Sequence, residues 1–195
     1  MKWTALTELW LFTNTPTEPR QKCPQPPASS TKTTFESDLL NRHLSYNYIV
    51  QSSPGQTEKW RYEMRFYNAD RIVYAMHGGP MAGRKNFQTA TYQCIRPGEL
   101  WQVNWLEETG TICSLVYDIP RGKITTLLGF SKGHWERNEE AKGDKRNQED
   151  LERWRRLARI GDQRDRMLLS EQADIVGDYW GPGPLEGIEM QWPTM

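Results

Sequence analysis

Leu100-Trp101-Gln102-Val103-Asn104-Trp105-Leu106-Glu107-Glu108-Thr109-Gly110-Thr111 is the stretch whose reading decides the fold. With the period of two that a strand imposes, Trp101, Val103, Trp105 and Glu107 project to one face. Three of these are large apolar groups that belong in a protein interior. The fourth is a carboxylate, last in the row and immediately before a Thr-Gly turn signal. A carboxylic acid on an aromatic-walled face loses hydration, which raises its pKa and suits it to proton transfer near neutrality. Glu107 reads equally as a strand-end carboxylate reaching water, as most carboxylates do. Glu108, the next residue, falls on the opposite face.

Short alternating runs of the same kind lie on both sides. Over residues 43–50, Leu44, Tyr46, Tyr48 and Val50 share a face, and over residues 60–66 so do Trp60, Tyr62, Met64 and Phe66. The linker between them, residues 51–56, contains Ser-Ser-Pro-Gly, a turn signal. Asn68-Ala69-Asp70 connects to a run over residues 71–76, and further strands fit at residues 88–95, 99–107, 111–118 and 123–130. Six or seven short strands joined by tight turns predict an antiparallel meander that closes as a barrel or sandwich. Residues 136–148 form a charged connection. Leu151, Trp154, Leu157 and Ile160 then recur at helical spacing as a packing stripe. A second short helical piece is predicted over residues 164–175, and the Gly- and Pro-rich tail from Gly181 is expected to be irregular. Residues 13–37, rich in Thr, Pro and Ser, read as an extended arm, poorly ordered. The chain thus divides into an arm, residues 1–37, and one domain, residues 38–195.

Lys and Arg number 25 and Asp and Glu also 25, so no global field attracts nucleic acid or an anionic membrane, and neither is expected as a partner. Cys23, Cys94 and Cys113 cannot all pair, which suits reduced thiols. The apolar cluster of Leu6 and Leu9 to Phe12 is interrupted by Thr7 and Glu8, too short and polar for a membrane span or signal core. A cytoplasmic protein is therefore expected. His43, His77 and His134 lie in separate segments with no metal-ligand spacing, and no Gly-rich phosphate loop precedes a helix. Neither a metal nor a nucleotide cofactor is predicted.

If the faces carrying Tyr46, Tyr48 and Tyr62 are inner ones, three phenols point into one barrel alongside Glu107. A cavity ligand could then supply the partner that buried hydroxyls need; ordinary strand tyrosines reaching the rim fit the alternation equally well. Arg84 ends His77-Gly78-Gly79-Pro80-Met81-Ala82-Gly83-Arg84, too glycine-rich for a regular strand. Glycines there let the backbone bend tightly and bring Arg84 over a barrel mouth, where paired charge-assisted hydrogen bonds can hold an anionic substrate. The other reading of Arg84 is an exposed loop arginine.

These blocks resemble the phenolic acid decarboxylases, cofactor-free enzymes that convert 4-hydroxycinnamic acids to 4-vinylphenols, and in particular their fungal branch. The resemblance is carried by His43 to Tyr48, Trp60 to Glu63, His77 to Arg84 and Trp101 to Thr111. It continues through Gly129 to Trp135, Gly143 to Asn147 and Glu171 to Ile175, in the same order. It implies a lipocalin-like flattened β-barrel with C-terminal helices packed outside, a homodimer, and a small phenolic acid as substrate. It assigns the catalytic acid to Glu107 with Arg84 as companion, and the lining tyrosines to Tyr46, Tyr48 and Tyr62. The segment between Tyr48 and Trp60 is longer than in bacterial members, Lys85 stands where those have tryptophan, and Ile112 replaces an aspartate. These departures bear on substrate breadth. Two orientations stay open: the tyrosines hold a phenolate while Arg84 orients the carboxylate, or the reverse. An isomerase or cyclase acting on another conjugated phenol, or a non-catalytic binding barrel, are the alternative functions.

Overall fold

The structure, a computed structural model, describes residues 34–185 and 187–194, without the side chain of Ser52. Eight antiparallel strands form a closed barrel in chain order. They are β1 (Arg42–Ser53), β2 (Gln56–Asn68), β3 (Arg71–Met76), β4 (Lys85–Arg96), β5 (Leu100–Leu106), β6 (Ile112–Asp118), β7 (Lys123–Ser131) and β8 (Arg166–Trp180). Alternation builds the core as expected: in β5, Trp101, Val103 and Trp105 are buried while Gln102 and Asn104 are half-exposed. From β6, Cys113, Leu115 and Tyr117 join the same core, and from β1 Leu44, Tyr46 and Tyr48. Burying each such side chain is worth about 1.5–3 kcal/mol relative to water.

The strand count corrects one expectation. Residues 164–175 are not helical; they belong largely to β8, which pairs with β7 through Ser131↔Arg166 to Lys123↔Asp174 and with β1 through Arg42↔Trp180 to Tyr48↔Ala173. The run Met167-Leu168-Leu169 fits either period locally. The unpaired edges of β1 and β7, far away in sequence, decide for a strand. The linker over residues 51–56 also shrinks, because β1 and β2 extend into it and leave only Pro54 and Gly55 to turn, Gly55 at φ 81°.

Short helices close both ends of the barrel. At the Trp101 end, residues 34–38 form helix α1, whose Phe35 ring lies 4.7 Å from that of Tyr92 and 6.2 Å from that of Trp101. The boundary drawn at Ser37 therefore falls inside an ordered helix; residues 1–33 of the arm lie outside the described residues. At the Glu107 end lies the connection from β7 to β8: α2 (Lys132–Glu136), a 3-10 turn (Asn138–Ala141) and α3 (Gln148–Leu157). Asn147 caps α3 by accepting from the Glu149 N–H, and Leu151, Trp154 and Leu157 form its buried stripe. The irregular tail after β8 packs Leu185 and Ile188 against Val73, Ala75 and Phe87 on the outer face of β3 and β4.

Candidate active site

Beyond the last residue of β5 the chain turns sharply: Glu107 N–H donates to Thr111 O (2.9 Å) and Gly110 N–H to Glu107 O (2.8 Å). Gly110 sits at φ 79°, a conformation that favours glycine. The turn is tied to α2 by Ser131, whose hydroxyl donates to Thr109 O (2.5 Å) and accepts from the His134 N–H (3.3 Å). Glu107 is thereby held at the inner end of the row that Trp101 begins, 2% exposed. The solvated strand-end reading is excluded.

Every close partner of the Glu107 carboxyl is a donor. Oε2 accepts from Arg84 Nη2 (3.0 Å) and Thr109 Oγ1 (3.3 Å). Oε1 accepts from the Tyr74 hydroxyl (2.5 Å), and the Cys113 thiol lies 3.7 Å away. Tyr74 has its own proton directed there by a chain of fixed groups. The Phe87 N–H donates to Asn86 Oδ1 (2.8 Å), which orients the amide, and Asn86 Nδ2 donates to the Tyr74 oxygen (2.9 Å). Burial, reinforced by the charge of Glu107, pushes the Tyr74 phenol well above its ordinary value, so it acts as a hydrogen-bond donor and not as an ion. The same two causes raise the Cys113 thiol.

Arg84 differs from expectation. The loop before it does bend on Gly79 (φ 77°) and Gly83 (φ 90°), and Gly78 lies so close to the backbone of Lys59 and Arg61 that a Cβ would sit 2.9 Å from each. The arginine does not stand open at a mouth, however. It is 0% exposed, donates to Ala141 O (2.5 Å), and lies 3.6 Å above the centre of the Trp154 ring. It is absent from the cavity lining and reaches the cavity only through Glu107.

The cavity itself is bounded by Tyr46, Tyr48, Tyr62, Trp105, Glu107 and His134, with Met, Leu, Phe, Thr, Tyr74 and Cys113 between. Tyr46, Tyr48 and Tyr62 form a ring cluster with centroids 5.3–5.9 Å apart. The Tyr48 hydroxyl is 2.6 Å from Thr126 Oγ1. Burial raises all three phenols, so they stay protonated and polar without charge. Thus the structure brings Tyr46, Tyr48, Tyr62 and Glu107 to one cavity, with Arg84 behind the last. No lysine or arginine is among the lining residues. Among the described residues no group of three or more His, Cys, Asp or Glu is arranged to hold a metal ion.

Sequence reasoning missed Tyr74, Asn86, His134 and Trp154. Tyr74 was findable, since it alternates with Ile72 and Met76 on the inner face of β3. Asn86 and His134 are placed by tertiary contacts that no local pattern reports, and Trp154, legible as a stripe residue, meets Arg84 only in the folded chain. Glu108 does point to the opposite side, yet it is buried: it accepts from Gln88 Nε2 (2.6 Å) and pairs with Lys145 beneath the connecting segment.

Comparison with known proteins adds to this geometry. A family model described as phenolic acid decarboxylase matches residues 37–177. A Vibrio cholerae protein described as "Probable phenolic acid decarboxylase" is 33% identical over 86 residues, 44% of this chain and 47% of that relative. The match therefore spans about half of the relative's length. A crystal structure described as a "putative beta-lactamase from Burkholderia vietnamiensis" covers 70% of this chain and 91% of its own, at 12% identity and a TM-score of 0.43. That score is too low to bear on chemistry.

Proposed function

Because the chain belongs to the phenolic acid decarboxylase family, we propose that it removes carbon dioxide from 4-hydroxycinnamic acids (p-coumaric, ferulic, caffeic) to give 4-vinylphenols. The observation that carries this reading is a carboxyl group, Glu107, on the wall of an aromatic cavity and fixed by Arg84, Tyr74 and Thr109.

Direct loss of carbon dioxide from an acrylate would leave a vinyl carbanion, which is too basic to form readily. The para-hydroxyl offers another route. As its proton leaves to solvent, the oxygen's electron pair moves through the ring, and the carbon bearing the carboxylate takes the proton of Glu107 in its carboxylic acid form, leaving Glu107 a carboxylate. The product of that step is a quinone methide. The bond to the carboxylate then breaks, its electrons form the vinyl double bond, and the ring recovers its aromaticity as a phenolate; solvent returns one proton to the phenolate and supplies the net proton of the reaction to Glu107. The hydroxyl is the electron sink, so the reaction calls for no metal or organic cofactor.

Each part of the site has work in this scheme. Glu107 is the acid. Arg84 positions it, held in turn by Trp154 and Ala141 O. The neutral phenols of Tyr46, Tyr48 and Tyr62 donate to an anionic oxygen of the substrate. A wall without a cation leaves the substrate carboxylate poorly stabilised relative to the neutral carbon dioxide it becomes, which favours its departure. Either end of the substrate can face the tyrosines, with Arg84 acting through Glu107 and not on the substrate, provided Glu107 lies over the alkene carbon next to the carboxylate. The resemblance further implies a homodimer, which light scattering reads directly.

The test is to incubate the purified protein with p-coumarate, ferulate and caffeate, with EDTA present, and follow the loss of cinnamate absorbance. Turnover is expected with these and not with cinnamate, which lacks the electron sink. Binding without turnover would make the protein a binding barrel, an isomeric product an isomerase or cyclase, and comparable turnover of cinnamate would refute the quinone methide.

A further inference from the structure

Two ring nitrogens in residues of the cavity wall are buried and without a hydrogen-bond partner: Trp105 Nε1 and His134 Nε2. The polar groups of the cage around the acid already have partners. Both Glu107 oxygens accept hydrogen bonds, Tyr74 lies between Asn86 and Glu107, and Tyr48 pairs with Thr126. Indole nitrogen is a donor only. For the imidazole, Nδ1 is 2.6 Å from Thr111 Oγ1 and 2.9 Å from Thr109 Oγ1. Thr109 also has a carboxylate oxygen to donate to, and the nearest acceptor for the Thr111 proton is Nδ1. Nδ1 therefore accepts, and the ring proton is assigned to Nε2. Burial and the nearby Arg84 hold the imidazole well below its ordinary pKa, so the ring is neutral at neutral pH. Two buried N–H donors left unpaired in a folded protein are costly, and the cost is removed when a ligand oxygen meets them.

We propose that Trp105 Nε1–H and His134 Nε2–H are substrate-binding donors, which take an anionic oxygen of the phenolic acid on the Glu107 side of the cavity. The proposal rests on the decarboxylase reading and adds to it a specificity device. Trp105 lies two residues before Glu107 on the same face of the strand, and the His134 ring comes within 3.9 Å of Glu107 Oε2 at Nδ1, so both side chains flank the acid in the cavity wall. Neutral donors suit this place. They orient an oxyanion without the ion pair that would hold a carboxylate back from leaving. The oxygen is either that of the carboxylate or that of the phenolic group, and ligands bearing one group or the other separate the two.

The experiment is calorimetric titration of the full chain with three unreactive ligands. 3-(4-Hydroxyphenyl)propionate carries both oxygens, 3-phenylpropionate the carboxylate alone, and 4-ethylphenol the phenol alone. Trp105→Phe keeps an aromatic ring and removes the N–H. His134→Asn keeps an acceptor near the Nδ1 position for the threonine hydroxyls and removes Nε2, so the question survives if one variant fails to fold. Each folded variant is expected to bind the two-oxygen ligand about tenfold more weakly. It should also weaken one single-oxygen ligand and spare the other, which identifies the oxygen held. Unchanged affinity for all three, or equal weakening of all three, overturns the assignment. A wild-type protein that binds none of them overturns the decarboxylase reading as well.

Discussion

Glu107→Gln tests the acid and the cage around it together. Glu107 meets donors on both oxygens, Tyr74 on one and Arg84 with Thr109 on the other. An amide has one oxygen to offer, so its NH₂ must face one of these sets. Facing Tyr74 is the less costly choice, because the Tyr74 oxygen can accept a further bond while the amide oxygen stays on Arg84. One buried donor is then orphaned, at about 1–3 kcal/mol, and Arg84 loses its countercharge. Losing one partner of a buried ion pair costs about 3–5 kcal/mol. Retention of an acceptor for Arg84 puts the expected loss between these ranges, read as the shift in a urea melt. Turnover of p-coumarate per folded molecule should fall by about 10²-fold or more, since an amide delivers no carboxylic proton. That is about 2.7 kcal/mol of barrier. Glu108→Gln is the control. Its partners Gln88 and Lys145 are outside the cavity lining, so it should lower stability yet leave most turnover per folded molecule. A folded Glu107→Gln protein with near-normal turnover, or a folded but inactive Glu108→Gln protein, would refute the reasoning.

Tyr74→Phe removes the donor to Oε1 and strands the Asn86 amide; kcat for p-coumarate should fall about tenfold with KM little changed, alongside a loss of about 1–3 kcal/mol in a urea melt. Burial lowers the Lys145 ammonium to about 8, against the pull of Glu108. Between that pH and the ordinary lysine value the unfolded chain binds the proton and the folded one does not, so stability should rise from pH 8 to about 9.5. Above about pH 10 the buried tyrosines, raised by desolvation, reverse the slope, because they stay protonated while the unfolded chain ionises. Urea melts across this range should show the dome, and the double variant Glu108→Gln/Lys145→Met should lose its rising limb; an unchanged limb would remove Lys145 from the account.

Much of the fold was legible because a barrel strand writes itself in a period of two. The row from Trp101 to Glu107 and the tyrosine rows of β1 and β2 need no tertiary knowledge to read. β8 was not legible, since its Met167-Leu168-Leu169 run is ambiguous locally and its pairing with β1 and β7 is not a local property. The site divides in the same way. Glu107, Tyr46, Tyr48 and Tyr62 sit on alternating rows, whereas the burial of Arg84 depends on Trp154 and Ala141, more than fifty residues later in the chain. Charge pattern alone also misplaces Glu108: a carboxylate facing away from the barrel is expected in water, and only the folded connection covers it.

The closed ring of strands has a consequence for how the protein is made. Arg42 hydrogen-bonds to the strand that contains Trp180, so the seam joins the first and last strands of the meander. While the chain emerges from a ribosome, β1 and β7 both present unpaired edges until the eighth strand arrives to pair with both. Contacts so distant in sequence form slowly, on the millisecond-to-second scale, and open edges in that interval invite pairing with other chains. The cavity wall draws on β1 and β7 alike, which β8 alone joins, so a phenolic ligand added during refolding should bind once β8 docks. Its capture would mark the moment of ring closure, separately from the earlier gain of strand content.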